Sequence, residues 1–132
     1  MSIAVICWHT SFPVIALYDA KLKKNISVYK LKGDFFLDSL EYLIQHKKQF
    51  SRILVIFGIE RFSQTRQVTL LTNVLAQEYG YPTAFFIPHC PIHSDSLLQT
   101  LINQQFNSLQ WTKLITPRYV KEPHITKRKK HS

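Results

Sequence analysis

ILVIFGIERFSQTRQVTLLTNVLAQEYGYPTAFFIP, residues Ile53 to Pro88, decides the fold class of this chain. Ile53 to Phe57 is an unbroken apolar run of strand length, as a buried strand requires. A helix is predicted over about Gln67 to Tyr79, with Val68, Leu71, Val74 and Leu75 spaced to face inward. Gly80 ends it as a left-handed cap, and Pro82 prevents its resumption. Thr83 to Ile87 forms the next strand. Two strands joined through a helix read as a parallel pair. The loop between the first strand and the helix, Gly58 to Arg66, falls where many α/β proteins hold a phosphate or a partner.

Toward the N-terminus the pattern changes. Ile3 to Trp8 is apolar throughout, Val14 to Tyr18 is a second strand, and Asn25 to Leu31 alternates as a half-exposed or edge strand does. Tight turns at Thr10 to Pro13 and at Asp19 to Lys21 make these three an antiparallel meander. Asp34 is placed to cap a helix in which Phe36, Leu37, Leu40, Leu43 and Ile44 form one apolar stripe, with Phe35 and Tyr42 on its flank. Lys47 and Lys48 suit its C-terminal end. Beyond the central stretch, Ser94 or Asp95 caps a third helix carrying Leu97, Leu98, Leu101, Ile102 and Phe106 on one side. Residues 107–116 read as irregular. The expected class is α/β: a single domain with a mixed sheet in the order β-β-β-α-β-α-β, then a C-terminal helix and a basic tail.

Charge is unevenly placed along the 132 residues. Of the formal +9, a net +5 falls from Arg118 onward, leaving a mildly basic body. Lys127, Arg128, Lys129 and Lys130 are candidates for contact with a phosphate backbone; the alternative is a solvated terminus. No run is long and apolar enough for a membrane span, and no basic residues precede the first strand as a cleaved signal would require. A cytoplasmic protein is therefore expected. Cys7 and Cys90 sit in apolar surroundings and read as reduced thiols rather than a disulfide or redox pair.

Catalytic chemistry finds little support. His89, Cys90 and His93 form an H-C-x-x-H cluster with three candidate ligands but no distant fourth, and a polar turn is the simpler reading. A two-metal nuclease needs several converging carboxylates, whereas the first strand ends Cys7-Trp8-His9 and Asp19 reads as a turn residue. The 58–66 loop has Arg61 and Arg66 to attract a phosphate but a single glycine, and Glu60 to repel it. No Ser-His-Asp or Cys-His arrangement stands out, and neither cofactor nor metal is expected.

Several motifs, taken in order, resemble the TsaB (YeaZ) family, the non-catalytic partner in bacterial threonylcarbamoyladenosine tRNA modification. Trp8-His9-Thr10-Ser11 followed by Val14-Ile15-Ala16-Leu17-Tyr18-Asp19 is similar to the family's D-T-S and its strand ending A-L-Y-D. The loop G-P-G-S-F-T-G-L-R is matched at Gly58, Phe62 and Arg66. Tyr81-Pro82 resembles the family's strand opening, and Ile115 to Val120 with Pro123 its closing P-x-Y-x-R/K-x-P. The likeness covers about the first 90 residues and about 15 near the end. The chain departs from the family at His9, Glu60 and Gln64, and most of the family's second domain has no counterpart.

The resemblance implies an actin-like (RNase H-like) domain over residues 1–88, a remnant helix and connector over 89–116, and the basic tail over 117–132. It implies a scaffold that binds a TsaD-type catalytic subunit, joined by a TsaE-type ATPase, with tRNA held through the complex. The interface would lie on the two helices, with Phe35, Leu37, Glu41, Tyr42, Ile44, Leu70, Val74 and Gln77 as candidates. Apolar residues on more than one helix face favour a partner over simple core packing. A homodimer is a further possible partner arrangement. The alternative function is an independent RNA-binding module that uses the tail.

Overall fold

The computed structural model describes residues 2–57 and 62–115, and the side chains among them except those of Phe62 and Ser63. Gly58 and the tail cations Lys127, Arg128, Lys129 and Lys130 lie outside the described residues, as does the side chain of Phe62. Five strands form one sheet: β1 (Ser2–Cys7), β2 (Val14–Asp19), β3 (Lys24–Lys30), β4 (Phe50–Ile56) and β5 (Thr83–Phe86). Their order is β3-β2-β1-β4-β5. The first three pair antiparallel, β4 runs parallel to β1, and β5 runs parallel to β4. The mixed sheet expected from the sequence is present.

Burial on both faces explains why β1 has no polar alternation. Ala4 and Ile6 face one core cluster, while Ile3, Val5 and Cys7 face the other. Helices α1 (Phe35–Gln45) and α2 (Phe62–Tyr79) cover the first face. Helix α3 (Asp95–Gln105) covers the opposite one through Leu98, Leu101 and Ile102. β3 is an edge strand, and its exposed Lys24, Ile26, Ser27 and Lys30 give the polar-rich pattern that edges tolerate.

Local signals act as the sequence suggests at most helix ends. Asp34 accepts the amides of Phe36 and Leu37, and Ser94 caps α3 by accepting from Leu97. Gly80 takes φ +73° and donates to the Ala76 carbonyl, ending α2 where a side chain would be strained. The start of α2 is different: the helix begins at Phe62, five residues before the predicted Gln67. Its first turns carry Gln64, Thr65 and Arg66, which lack the apolar periodicity that marks the rest. Cys7 is buried and Cys90 half-buried, and neither is in a disulfide.

The segment after α3 wraps the sheet edge. Thr112 and Thr83 exchange both backbone hydrogen bonds at 2.7 Å, an isolated antiparallel bridge beside β5. Three residues on, Ile115 enters the α1/α2 core. The Asn73 amide on α2 grips it twice, donating to the Ile115 carbonyl and accepting its N–H, each at 2.9 Å. The irregular reading of residues 107–116 therefore hides a strap that joins the two faces.

Three tyrosine hydroxyls tie elements together. Tyr18 donates to Asn103, Tyr29 to Asp38 at 2.7 Å, and Tyr81 to the Lys47 carbonyl at 2.8 Å. All three phenols titrate above their ordinary 10.0: Tyr18 and Tyr81 chiefly through burial, Tyr29 chiefly through its bond to Asp38. A raised folded pKa means that the folded state holds the proton more tightly than the unfolded chain. This contribution is complete below the unfolded tyrosine range and is lost as pH rises through the folded values. Thermal melts followed by circular dichroism should hold steady up to about pH 9 and then fall steeply through the tyrosine range. A flat profile to about pH 11 would show that these bonds contribute nothing.

Candidate interaction surface

Helices α1 and α2 lie side by side on one face of the sheet, and their outer faces are unusually apolar. On α1, Leu37 is 61% exposed and Ile44 42%; on α2, Leu70 is 57% exposed and Val74 50%. The spacing explains the arrangement. Residues 37, 41 and 44 form one line along α1, and residues 70, 74 and 77 form one along α2. Glu41 and Gln77 are exposed within those lines. Six of the eight interface candidates thus stand on the outer surface.

The other two point elsewhere. Tyr42 is a correction: it is 8% exposed and belongs to the core. Its ring stacks between Tyr29, at 4.5 Å between centroids, and His46, at 4.1 Å. The sheet accepts α1 through Ser39, Tyr42 and Leu43 rather than through the stripe of highest hydrophobicity. That rotation turns Leu37 and Ile44, expected inside, toward solvent. Phe35 is half-buried and meets the Trp8 ring edge-on at 6.0 Å. On α2 the same thing happens to Val74: Thr65, Thr69, Thr72 and Ala76 share the buried face with Val68, Leu71 and Leu75.

A groove of about 500 Å³ runs beside α1 between Lys32 and Ile44. It holds Asp34, Asp38 and Glu41, three of the eight acids in a chain of net charge +9. Two of these carboxylates are already engaged. Asp34 caps α1, and Asp38 accepts the Tyr29 hydroxyl and the Lys32 amide, each at 2.7 Å. The surface therefore combines apolar side chains with a fixed negative field, a composition suited to a protein partner and opposed to a polyanion.

The other sequence candidates fall away from this face or carry no catalytic geometry. Arg66 is exposed early in α2. His9 is buried, with Nδ1 2.8 Å from the Ser11 hydroxyl. Ser11 in turn donates to the Ile92 carbonyl. A serine has one hydroxyl hydrogen, so His9 Nδ1 must be the donor toward Ser11. That polarity is the reverse of a histidine acting as base on a serine nucleophile. His89 and His93 are exposed and Cys90 half-buried. Among the described residues no group of three or more His, Cys, Asp or Glu is placed to hold a metal ion. Asp19 is a turn residue: it accepts the amides of Leu22 and Lys21, and these bonds hold its carboxyl below the usual range.

Two features escaped the sequence. One is the strap at Trp111–Ile115, which leaves a cleft of about 660 Å³ against Gly80, Tyr81 and Pro82. The other is a gathering of lysines at one end of the sheet, described below. Neither has a local signal, since both arise from residues distant in the chain. Among the described residues no helix is long and apolar enough to cross a membrane. No protein-family model and no curated protein matches this chain.

Proposed function

We propose that this protein is a non-catalytic scaffold subunit whose α1/α2 face docks helices of a TsaD-type catalytic subunit in threonylcarbamoyladenosine tRNA modification. The observation that carries the reading is the set of four large apolar side chains, Leu37, Ile44, Leu70 and Val74, exposed on two neighbouring helices. With about half of its surface still exposed, each contributes roughly 1–1.5 kcal/mol on burial, which a partner helix pair supplies and water does not. The strand order β3-β2-β1-β4-β5 supports an actin-like (RNase H-like) domain as the scaffold. The Ser11–Ile92 bond, which commits the serine hydroxyl to the main chain, supports a non-catalytic role. In this reading a TsaE-type ATPase joins the complex in the cytoplasm, and tRNA is held by the assembly.

The test is size-exclusion chromatography with light scattering, using this protein and the TsaD-type subunit of the same genome. Wild-type protein should give a stoichiometric complex. Leu37→Asp combined with Leu70→Asp should abolish it, at least a hundredfold loss in affinity, because two charges then enter an apolar contact. Both sites are solvent-facing, so each substitution should cost the isolated chain less than about 1 kcal/mol. A complex that survives the double substitution places the partner on another face.

A further inference from the structure

Strand direction collects positive charge at one end of the sheet. β1, β4 and β5 begin there, β2 ends there, and β3 starts there, because Ile3 pairs with Tyr18 and Arg52, Asp19 with Lys24, and Ile53 with Thr83. The β2–β3 turn brings Lys21, Lys23 and Lys24, all exposed. The turn from α1 into β4 brings Lys47 and Lys48. Arg52 lies near the start of β4, and the Thr83–Thr112 bridge sets Lys113 beside the start of β5.

Opposing these seven cations among the described residues are three carboxylates, Asp19, Glu78 and Asp95, the last accepting the Asn25 side-chain amide beside Lys24 at 2.6 Å. Asp19 is occupied by the amides of its own turn. Among the described residues Lys23, Lys24, Lys48 and Lys113 form no ion pair. Aromatic rings stand against two of the cations, Tyr79 at Lys47 and Trp111 and Phe106 at Arg52. Lys47 Nζ lies 4.9 Å from the centre of the Tyr79 ring, and the Arg52 guanidinium 4.4 Å from that of Trp111. Tyr79 packs in turn against Tyr81 at 5.8 Å.

We propose that this end of the sheet binds single-stranded nucleic acid. A cationic surface tracks a sugar–phosphate backbone and releases its counterions. Half-exposed rings offer stacking to unpaired bases, whatever their sequence. Five strands span roughly 19 Å, room for about five stacked nucleotides. An anionic membrane is the less suitable ligand: the β2–β3 turn offers a single exposed apolar side chain, Leu22, where an interfacial anchor needs an apolar face. The inference rests on neither the basic tail nor the partner-subunit reading. The acidic groove on α1 lies on a different surface.

Full-length protein would be titrated against fluorescent oligouridylate and oligothymidylate of about twelve nucleotides, between about 50 and 200 mM salt. Binding is expected to weaken steeply with salt. Lys24→Glu, Lys48→Glu and Lys113→Glu, taken together from three separate elements, should weaken it at least tenfold without lowering the melting temperature. Neutralising the tail by Lys127→Gln, Arg128→Gln, Lys129→Gln and Lys130→Gln should leave binding that the triple substitution then removes. Binding of either oligonucleotide supports the proposal if it depends on these lysines. The proposal is overturned by a triple variant that binds like wild type, by loss of all binding on tail neutralisation alone, or by binding to anionic phospholipid vesicles but to neither oligonucleotide.

Discussion

Tyr42→Asp should unfold the domain. Tyr42 lies on an exposed-looking flank of the α1 pattern, yet its ring is stacked between Tyr29 and His46 and closed off from solvent. Truncating a large buried aromatic costs roughly 3–5 kcal/mol through lost transfer energy and the cavity left behind. Aspartate adds a carboxylate in a buried site, which must be desolvated or protonated. The sum, more than about 4 kcal/mol, approaches the whole stability of a domain this size, about 5–15 kcal/mol. Urea titration by circular dichroism should show little or no native baseline. Tyr42→Phe keeps the rings stacked and should stay within about 1.5 kcal/mol of wild type. A folded Tyr42→Asp protein with a normal midpoint would show that α1 docks by another face. The contrast with Leu70→Asp matters for function: that variant should lose the partner and keep the fold, whereas Tyr42→Asp loses both.

Trp8→Ala carries the second large effect. Trp8 leaves the end of β1 and donates its indole N–H to the Ser39 hydroxyl of α1 at 3.0 Å, with both residues buried. Its ring also meets Phe35 edge-on. The substitution removes the main bulk between the central strand and the helix, about 3–5 kcal/mol, and takes from Ser39 its buried partner. The urea midpoint should fall by more than about 1 M at unchanged slope. Trp8→Phe restores most of the volume without the N–H and should recover more than half of the loss. Partner binding is also expected to weaken in Trp8→Ala, although Trp8 touches no outer surface. Leu37 and Ile44 ride on the helix that Trp8 and Ser39 hold in place. A midpoint within about 0.3 M of wild type would mean that α1 is anchored elsewhere, through Tyr42 and Leu43 alone.

The order of elements was legible because each carries a local cause. β1 from Ile3 and β4 from Ile53 onward are apolar because both their faces are covered there; Asp34, Ser94 and Gly80 mark helix ends through bonds or backbone angles that those residue types supply. The candidate surface was legible in part. Leu37, Ile44, Leu70 and Val74 add apolar positions beyond what one buried stripe needs, and such excess is visible in the sequence. Which of those positions is excess was not visible. The hydrophobic arc of α1 is wide enough to dock in more than one rotation, and its rotation is set by Tyr29 on β3 and Trp8 just after β1.

By itself, then, the sequence determined an α/β domain with a meander followed by a parallel crossover, and the limits of its helices except the start of α2. These depend on interactions between near neighbours, which periodicity and capping express directly. The tertiary structure alone decided that Tyr42 is core, that residues 111–115 strap β5 to α2, and that scattered lysines share one end of the sheet. The first two outcomes depend on contacts between residues 13 to 42 positions apart, and the third on the pairing of whole strands, for which no local pattern carries a record.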